Sequence, residues 1–333
     1  MKNAKRRKPM FKRKIYDKML QWKNESGGNT ALLVEGARRI GKSTVVEEFA
    51  KNEYESYILI DFATASKEVR ELFDDVSDLN YLFLQLQLQY RKDLHERRSV
   101  IIFDEVQLCP MARQAIKTLV KDHRYDYIET GSLLSIRKNT KGIVIPSEET
   151  RLTMYPMDYE EFRWALNDNV TIDMLRECFN SKRSLGDATM RKLRRDFRLY
   201  MLVGGMPQAV YTYLKTNNLT EVDNKKREIL DIYIDDFLKI DPSGKISKMF
   251  SAIPAQLSKN ASRYQQTSIL GKNESSEIIA EFLRDMEDSL TVNFAHHSNN
   301  PNVGLPAHMD YAQYKMFMGD TGLFVTLAFW DKD

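Results

Sequence analysis

The sequence predicts an α/β domain built on a parallel sheet, followed by a helical region and a smaller mixed region at the C-terminal end. Three observations carry that reading. Runs that are apolar nearly throughout, "ALLVEG", "YILIDF" and "SVIIFDEV", alternate with amphipathic stretches, the pattern of strands buried on both faces beneath helices. A glycine-bounded turn, "GARRIGKST", joins the first run to a helical stretch. Beyond Pro156 the strand pattern stops and helical periodicity takes over.

Taken in order, the chain opens on a basic run, with Lys2, Lys5, Arg6, Arg7, Lys8, Lys12, Arg13 and Lys14 close together. Such a run reads as a solvated, mobile tail, or as an arm that touches nucleic acid or an acidic partner. "KIYDKMLQWK" places Ile15, Met19 and Trp22 at helical spacing before "NESGGNT" breaks it. "YDYIETGS" and "RLTMYPM" add strands to the three above, and "STVVEEFAKN", "LNYLFLQLQLQYRKDL" and "ARQAIKTLVKDH" supply helices between them. Residues 28–157 therefore form the predicted α/β core, behind a tail and leading helix over 1–27. Successive helices such as "ATMRKLRRDFRLYMLV" and "KKREILDIYIDDFLKI" fill 158–240. From Asp241, helices are followed by "LTVNF" and "YKMFMGDTGLFVTLAF", which read as a hairpin; together they suit a winged-helix region over 241–333. Its helix "ESSEIIAEFLRDMED" is expected to bury Ile278, Ile279, Phe282, Leu283 and Met286 and to show an acidic face.

A chain of 333 residues suits two or three domains. With 42% hydrophobic and 29% charged residues and a net charge of +3, it is an ordinary globular composition, which excludes a disordered chain. Cys109 and Cys178 lack metal-ligand spacing and point to a reduced, cytoplasmic protein. The basic start lacks the apolar stretch of a signal peptide, and no segment is apolar enough to span a bilayer, so no membrane role is expected.

The chemistry lies in two motifs. Gly36, Gly41, Lys42 and Ser43 have the G-x-x-x-x-G-K-[ST] spacing of a phosphate-binding loop, between a strand and a helix as the mechanism requires. The glycines permit a tight backbone path that aims the amides around Arg39, Ile40, Gly41 and Thr44 at a phosphate chain. Lys42 reaches the terminal phosphates and the Ser43 hydroxyl ligates magnesium. Arg38 and Arg39 are expected to point away from the nucleotide. In "SVIIFDEVQ", Asp104 ends a strand where it would hold magnesium, and Glu105 would polarise the attacking water. Thr130 and Ser132 in "YIETGS" follow another strand, whose end falls beside the terminal phosphate. No Asn-Lys-x-Asp segment reads guanine, since "NKKR" from Asn224 lacks the aspartate, and "SIRKNTKG" is a thin match to a kinase lid.

These residues resemble the bacterial and archaeal AAA-type ATPases that pair an ATPase core with a C-terminal domain of unknown function. The marks, in order, are "GARRIGKS", "IIFDEVQLCP", "ETGSLLSIRK", "MYPMDYEEF", "YMLVGGMP", "IPAQLSKN" and "YKMFMGDTGL". The resemblance implies an AAA-type core binding ATP with magnesium, a helical lid and a winged-helix region. It also implies phosphate sensing at Thr130, and Pro207 of "GGMP" against the adenine; a helix C-cap at Gly204 or Gly205 is the structural alternative. Arg137 and Arg151 are candidates for a trans-acting arginine. The chain ends just after "GLFVTLAFW", where such proteins often continue, so a shortened member is expected. The expected activity is ATP hydrolysis coupled to movement of the lid and of an unknown protein partner, in a chain able to oligomerise. The alternative is a DNA-binding regulator that uses ATP as a structural switch, with the basic tail as its contact.

Overall fold

The computed structural model describes residues 10–132, 147–259, 261–271, 274–300, 302 and 308–330. The chain divides into two compact units, Met1–Met154 and Tyr155–Asp333.

In the first unit, α1 (Ile15–Ser26) precedes β1 (Ala31–Gly36), α2 (Lys42–Glu53), β2 (Ser56–Asp61), α3 (Lys67–Glu71), α4 (Leu79–Tyr90) and β3 (Ser99–Asp104). A 3-10 turn at Val106–Leu108, α5 (Pro110–Asp122), β4 (Asp126–Gly131) and β5 (Glu149–Met154) complete it. The five strands form one parallel sheet in the order β2-β3-β4-β1-β5. The three inner strands, β3, β4 and β1, are buried along their whole length, as the apolar runs of β1 and β3 require, while β4 also buries Asp126, Glu129 and Thr130. β2 and β5 are the edges and are only half buried, which is why "RLTMYPM" looks less apolar than its neighbours. One face packs Leu33, Ile60, Ile101, Phe103 and Tyr127 against Leu82, Phe83, Ala112, Ile116 and Leu119 of α4 and α5. α2 lies against β1 to β4, and α1 against β5 and α2, burying Met19, Trp22, Val46 and Phe49.

The core also holds a buried charge cluster. Arg113 of α5 places Nη1 3.1 Å from Glu129 Oε2 of β4 and 2.9 Å from Glu149 Oε2 of β5, the second contact lacking hydrogen-bond geometry. Arg151, half exposed, reaches Glu149 Oε1 at 2.7 Å. Burial raises the Glu129 carboxyl well above the carboxylate range; Arg113 opposes this and Glu149 reinforces it.

The second unit contains α6 (Tyr159–Ala165), α7 (Thr171–Asn180), α8 (Asp187–Val203), α9 (Pro207–Thr216) and the long α10 (Leu219–Ile240). α11 (Lys245–Ser251), α12 (Ile253–Ser258), α13 (Thr267–Leu270), α14 (Ser276–Asp288), β6 (Val292–Ser298), β7 (Met309–Met318) and α15 (Thr321–Ala328) follow. β6 and β7 pair antiparallel, Val292 opposite Met318, with a bulge at His296/His297. The expected hairpin is therefore present but shorter than "YKMFMGDTGLFVTLAF" implied. The second half of that stretch is helical because Asp320 caps it, accepting the Leu323 amide at 2.8 Å. In α14 the packing also departs from expectation: Ile279 and Met286 are buried, Ile278 is exposed, and Asp285 is buried.

"GGMP" and "GDTG" meet in a single junction within this unit. Asp320 is buried and also accepts the Gly205 amide at 2.5 Å. Lys226 of α10, equally buried, donates to the carbonyls of Leu202 (2.8 Å) and Gly322 (3.3 Å). A Cβ on Gly205 would lie 2.0 Å from the Met157 carbonyl oxygen, so no other residue fits there.

Candidate functional site

The loop after β1 runs from Gly36 to the start of α2. A Cβ on Gly36 would sit 2.4 Å from the Met154 carbonyl oxygen and 2.6 Å from Ile40 Cδ1, so glycine alone lets the loop fold back against the end of β5. Gly41, with φ of 95°, caps α2 in a left-handed conformation that glycine adopts without strain. α2 has no side-chain cap, which leaves its first-turn amides at Lys42, Ser43 and Thr44 available to an anion. Arg38 and Arg39 are exposed on the loop, and Arg39 takes a left-handed φ of 67°.

Lys42 is buried and folds back over its own loop, donating from Nζ to the carbonyls of Gly36 (3.0 Å) and Ala37 (2.8 Å). Burial lowers its ammonium to about 8, opposed by the nearby carboxylates of Glu105 and Asp104 and reinforced by Arg38.

Because β4 lies between β3 and β1, the ends of all three strands converge on this lysine's side of the sheet. Ser43 Oγ donates to Asp104 Oδ1 at 2.6 Å, across 61 residues of sequence. Thr130 Oγ1 at the end of β4 donates to the same oxygen, and accepts the Glu105 amide at 3.3 Å. Glu105 itself has a left-handed backbone, φ 53° and ψ 47°, a conformation that costs about 1–2 kcal/mol and turns the chain abruptly out of the strand.

Two residues at the site carried no motif. Gln107, buried two positions on, donates from Nε2 to Glu105 Oε2 and so fixes that carboxylate. Arg13 belongs to the run read as a mobile tail, yet it is buried and donates from Nη1 to the Ile40 carbonyl at 2.9 Å. In a trans peptide the carbonyl and the next amide point oppositely, so this bond turns the Gly41 N–H to the other side of the loop. The signal for Gln107 was local, within "DEVQ"; for Arg13 there was none.

Pro207 lies in the second unit, half buried at the first turn of α9, while Gly204 is the C-cap of α8 with φ of 81°. Arg151 lies on β5. Arg137 falls outside the described residues, as do Lys2, Lys5, Arg6, Arg7 and Lys8.

Ser43 and Asp104 offer a hydroxyl and a carboxylate, hard oxygen donors of the kind magnesium takes alongside phosphate oxygens. Among the described residues no group of three or more His, Cys, Asp or Glu could hold a metal without such help.

A parallel sheet of this order, with a phosphate loop after β1 and an acidic end on β3, defines the P-loop nucleotide-binding class. Within that class the core is of the AAA type: residues 28–163 match the family model of the AAA domain, and residues 194–333 match a domain of unknown function, DUF8612. No curated protein matches the sequence. Among solved structures, the Walker-type ATPase paby2304 of Pyrococcus abyssi is similar over 97% of both chains, with a TM-score of 0.57 at 14% identity, a likeness of fold. PCH-2 of C. elegans matches over 49% of this chain and 46% of its own, at 12% identity and a TM-score of 0.28, too low to bear on the fold.

Proposed function

We propose that this chain binds ATP with magnesium at the loop of Gly36 to Thr44 and hydrolyses it to ADP and phosphate. The observation that carries the reading is the 2.6 Å bond between Ser43 and Asp104, which brings the two motifs into one site beside a buried lysine. The amides of Gly41 to Thr44, flanked by Arg39 and Ile40, cradle the phosphates, and Lys42 leaves the loop carbonyls to meet the terminal ones. Ser43 and Asp104 hold magnesium, which when bound offsets the negative charge of the phosphate oxygens. Glu105 accepts the proton of the attacking water through the carboxylate oxygen that Gln107 does not engage. Thr130, bonded to both acidic positions, reports the state of the terminal phosphate to the strand ends.

The run of helices over 158–240 is read as a lid, with Pro207 against the adenine. The helices α11 to α14 followed by the β6–β7 hairpin support a winged-helix reading of the C-terminal region. An arginine from a neighbouring copy and a protein partner moved by the cycle belong to the same proposal, as does a cytoplasmic setting; no helix of the described residues is long and apolar enough to cross a membrane.

Glu105→Gln tests the chemistry. ATP and magnesium should bind as in the parent chain, with turnover lowered 10²-fold or more. Undiminished phosphate release in a steady-state assay would remove Glu105 from its role.

A further inference from the structure

We propose that the outward face of α8 (Asp187–Val203) binds the phosphate backbone of a nucleic acid, independently of its sequence.

At about 100° per residue, Arg191, Arg194, Arg195 and Arg198 fall within an arc of roughly 100° on that helix. All four are exposed. Leu193 and Val203, both buried, occupy the opposite side, so the arginine stripe faces out because the other side is packed. Many arginines of this molecule are instead engaged. Arg70, Arg97, Arg113, Arg163 and Arg227 all spend their guanidinium groups on carbonyls or carboxylates. Arg191, Arg194 and Arg198 have no such partner among the described residues, and Arg195 has only Asp196 at 3.8 Å. Asp196 is itself drawn inward to Arg163 at 3.0 Å. Lys182 and Arg183 are exposed just before the helix, and the one acid on the arginines' face is Asp187 in its first turn.

Charge selects the partner class. Guanidinium groups at rises of about 4–6 Å along the axis can each meet a phosphate of a polyanion, and each contact releases counterions. A second feature favours nucleic acid over an acidic protein. Beside the arginines runs a strip of Met190, Phe197 and Met201, exposed to 37%, 46% and 40%. An exposed aromatic ring beside a phosphate-binding stripe is the arrangement on which an unpaired base stacks. The sequence assigned nucleic-acid contact to the basic tail, but Arg13 of that tail is bonded to the Ile40 carbonyl.

The test uses the full chain and fluorescence anisotropy with a labelled thirty-nucleotide oligothymidine and a duplex of the same length, from 50 to 200 mM salt. The parent chain should bind both with affinity that falls steeply with salt. Arg191→Ala, Arg194→Ala and Arg198→Ala combined should weaken binding at least tenfold and reduce the slope of log affinity against log salt by about two to three, near 0.7–0.9 per lost phosphate contact. The matching triple change to lysine should keep most of the slope, which a structural defect would not. Phe197→Ala should weaken the single strand more than the duplex and leave the slope unchanged. The proposal is overturned if the parent chain shows no salt-sensitive binding, or if the triple alanine variant, with an unaltered melting profile, binds as the parent does. It is overturned equally if deleting residues 2–8 abolishes binding by itself, or if poly-glutamate competes as well as oligothymidine does.

Discussion

Lys42 is the residue at which sequence and environment pull hardest against each other. Its ammonium is required by the motif, yet the site buries it and holds it at about 8, far below its solution value. In the folded chain the group loses its proton between pH 8 and the unfolded value, while the unfolded chain still holds one. Stability attributable to Lys42 is therefore lowest near neutral pH and rises as pH increases through that window. Nucleotide affinity runs the other way, because phosphates need the cation. Between pH 7 and 9 the affinity for ATP should fall about tenfold, with proton uptake at the higher pH, as calorimetry in buffers of different ionisation enthalpy would reveal. Lys42→Ala should abolish or strongly weaken binding while leaving the chain folded; unchanged affinity in a folded variant would refute the phosphate site. Arg13→Ala should weaken ATP and ADP binding by several-fold through the freed Ile40 peptide, whereas Lys12→Ala should not.

At the scale of elements, the motifs and the strands that carry them were legible because each is a local pattern. "ALLV" of β1 and "VIIF" of β3 are apolar and buried, and the glycine loop sits between strand and helix in the sequence itself, whereas β4 buries Asp126, Glu129 and Thr130 beside Tyr127 and Ile128 and is the less legible strand. The placement of β4 between β3 and β1 was not legible, since strand order is decided by packing across the sheet. That placement is what joins Thr130 to Asp104. The Arg13 contact was hidden for a similar reason, lying 27 residues from its acceptor. The Arg113 cluster stitches α5, β4 and β5 together without any sequence signature. Removing its guanidinium strands two buried carboxyl groups, so Arg113→Ala should cost about 3–5 kcal/mol in urea unfolding. Replacement of Arg151, which is half exposed, should cost far less. For α14, Glu277, Glu281 and Glu287 are exposed, and a helix of that sign should not enter a DNA groove. Changing those three to glutamine should leave duplex binding by the full chain unaltered in anisotropy.

Across the whole molecule, the two units close in different ways. Every strand of the sheet has been made once Met154 is reached, whereas the second unit joins its middle to its far end. The Gly205 amide waits for the Asp320 carboxylate 115 residues later. At about 5–20 residues per second, a ribosome takes roughly 6–23 s to cover that distance. Throughout that interval Lys226, destined for burial, lacks the Gly322 carbonyl, and the turn at Gly204–Gly205 lacks its acidic anchor. The nascent second unit is thus a timed vulnerability: chains halted before Asp320 should present a finished sheet domain followed by protease-sensitive helices, and limited proteolysis of stalled ribosome complexes should cut after Tyr155 and spare the region before it.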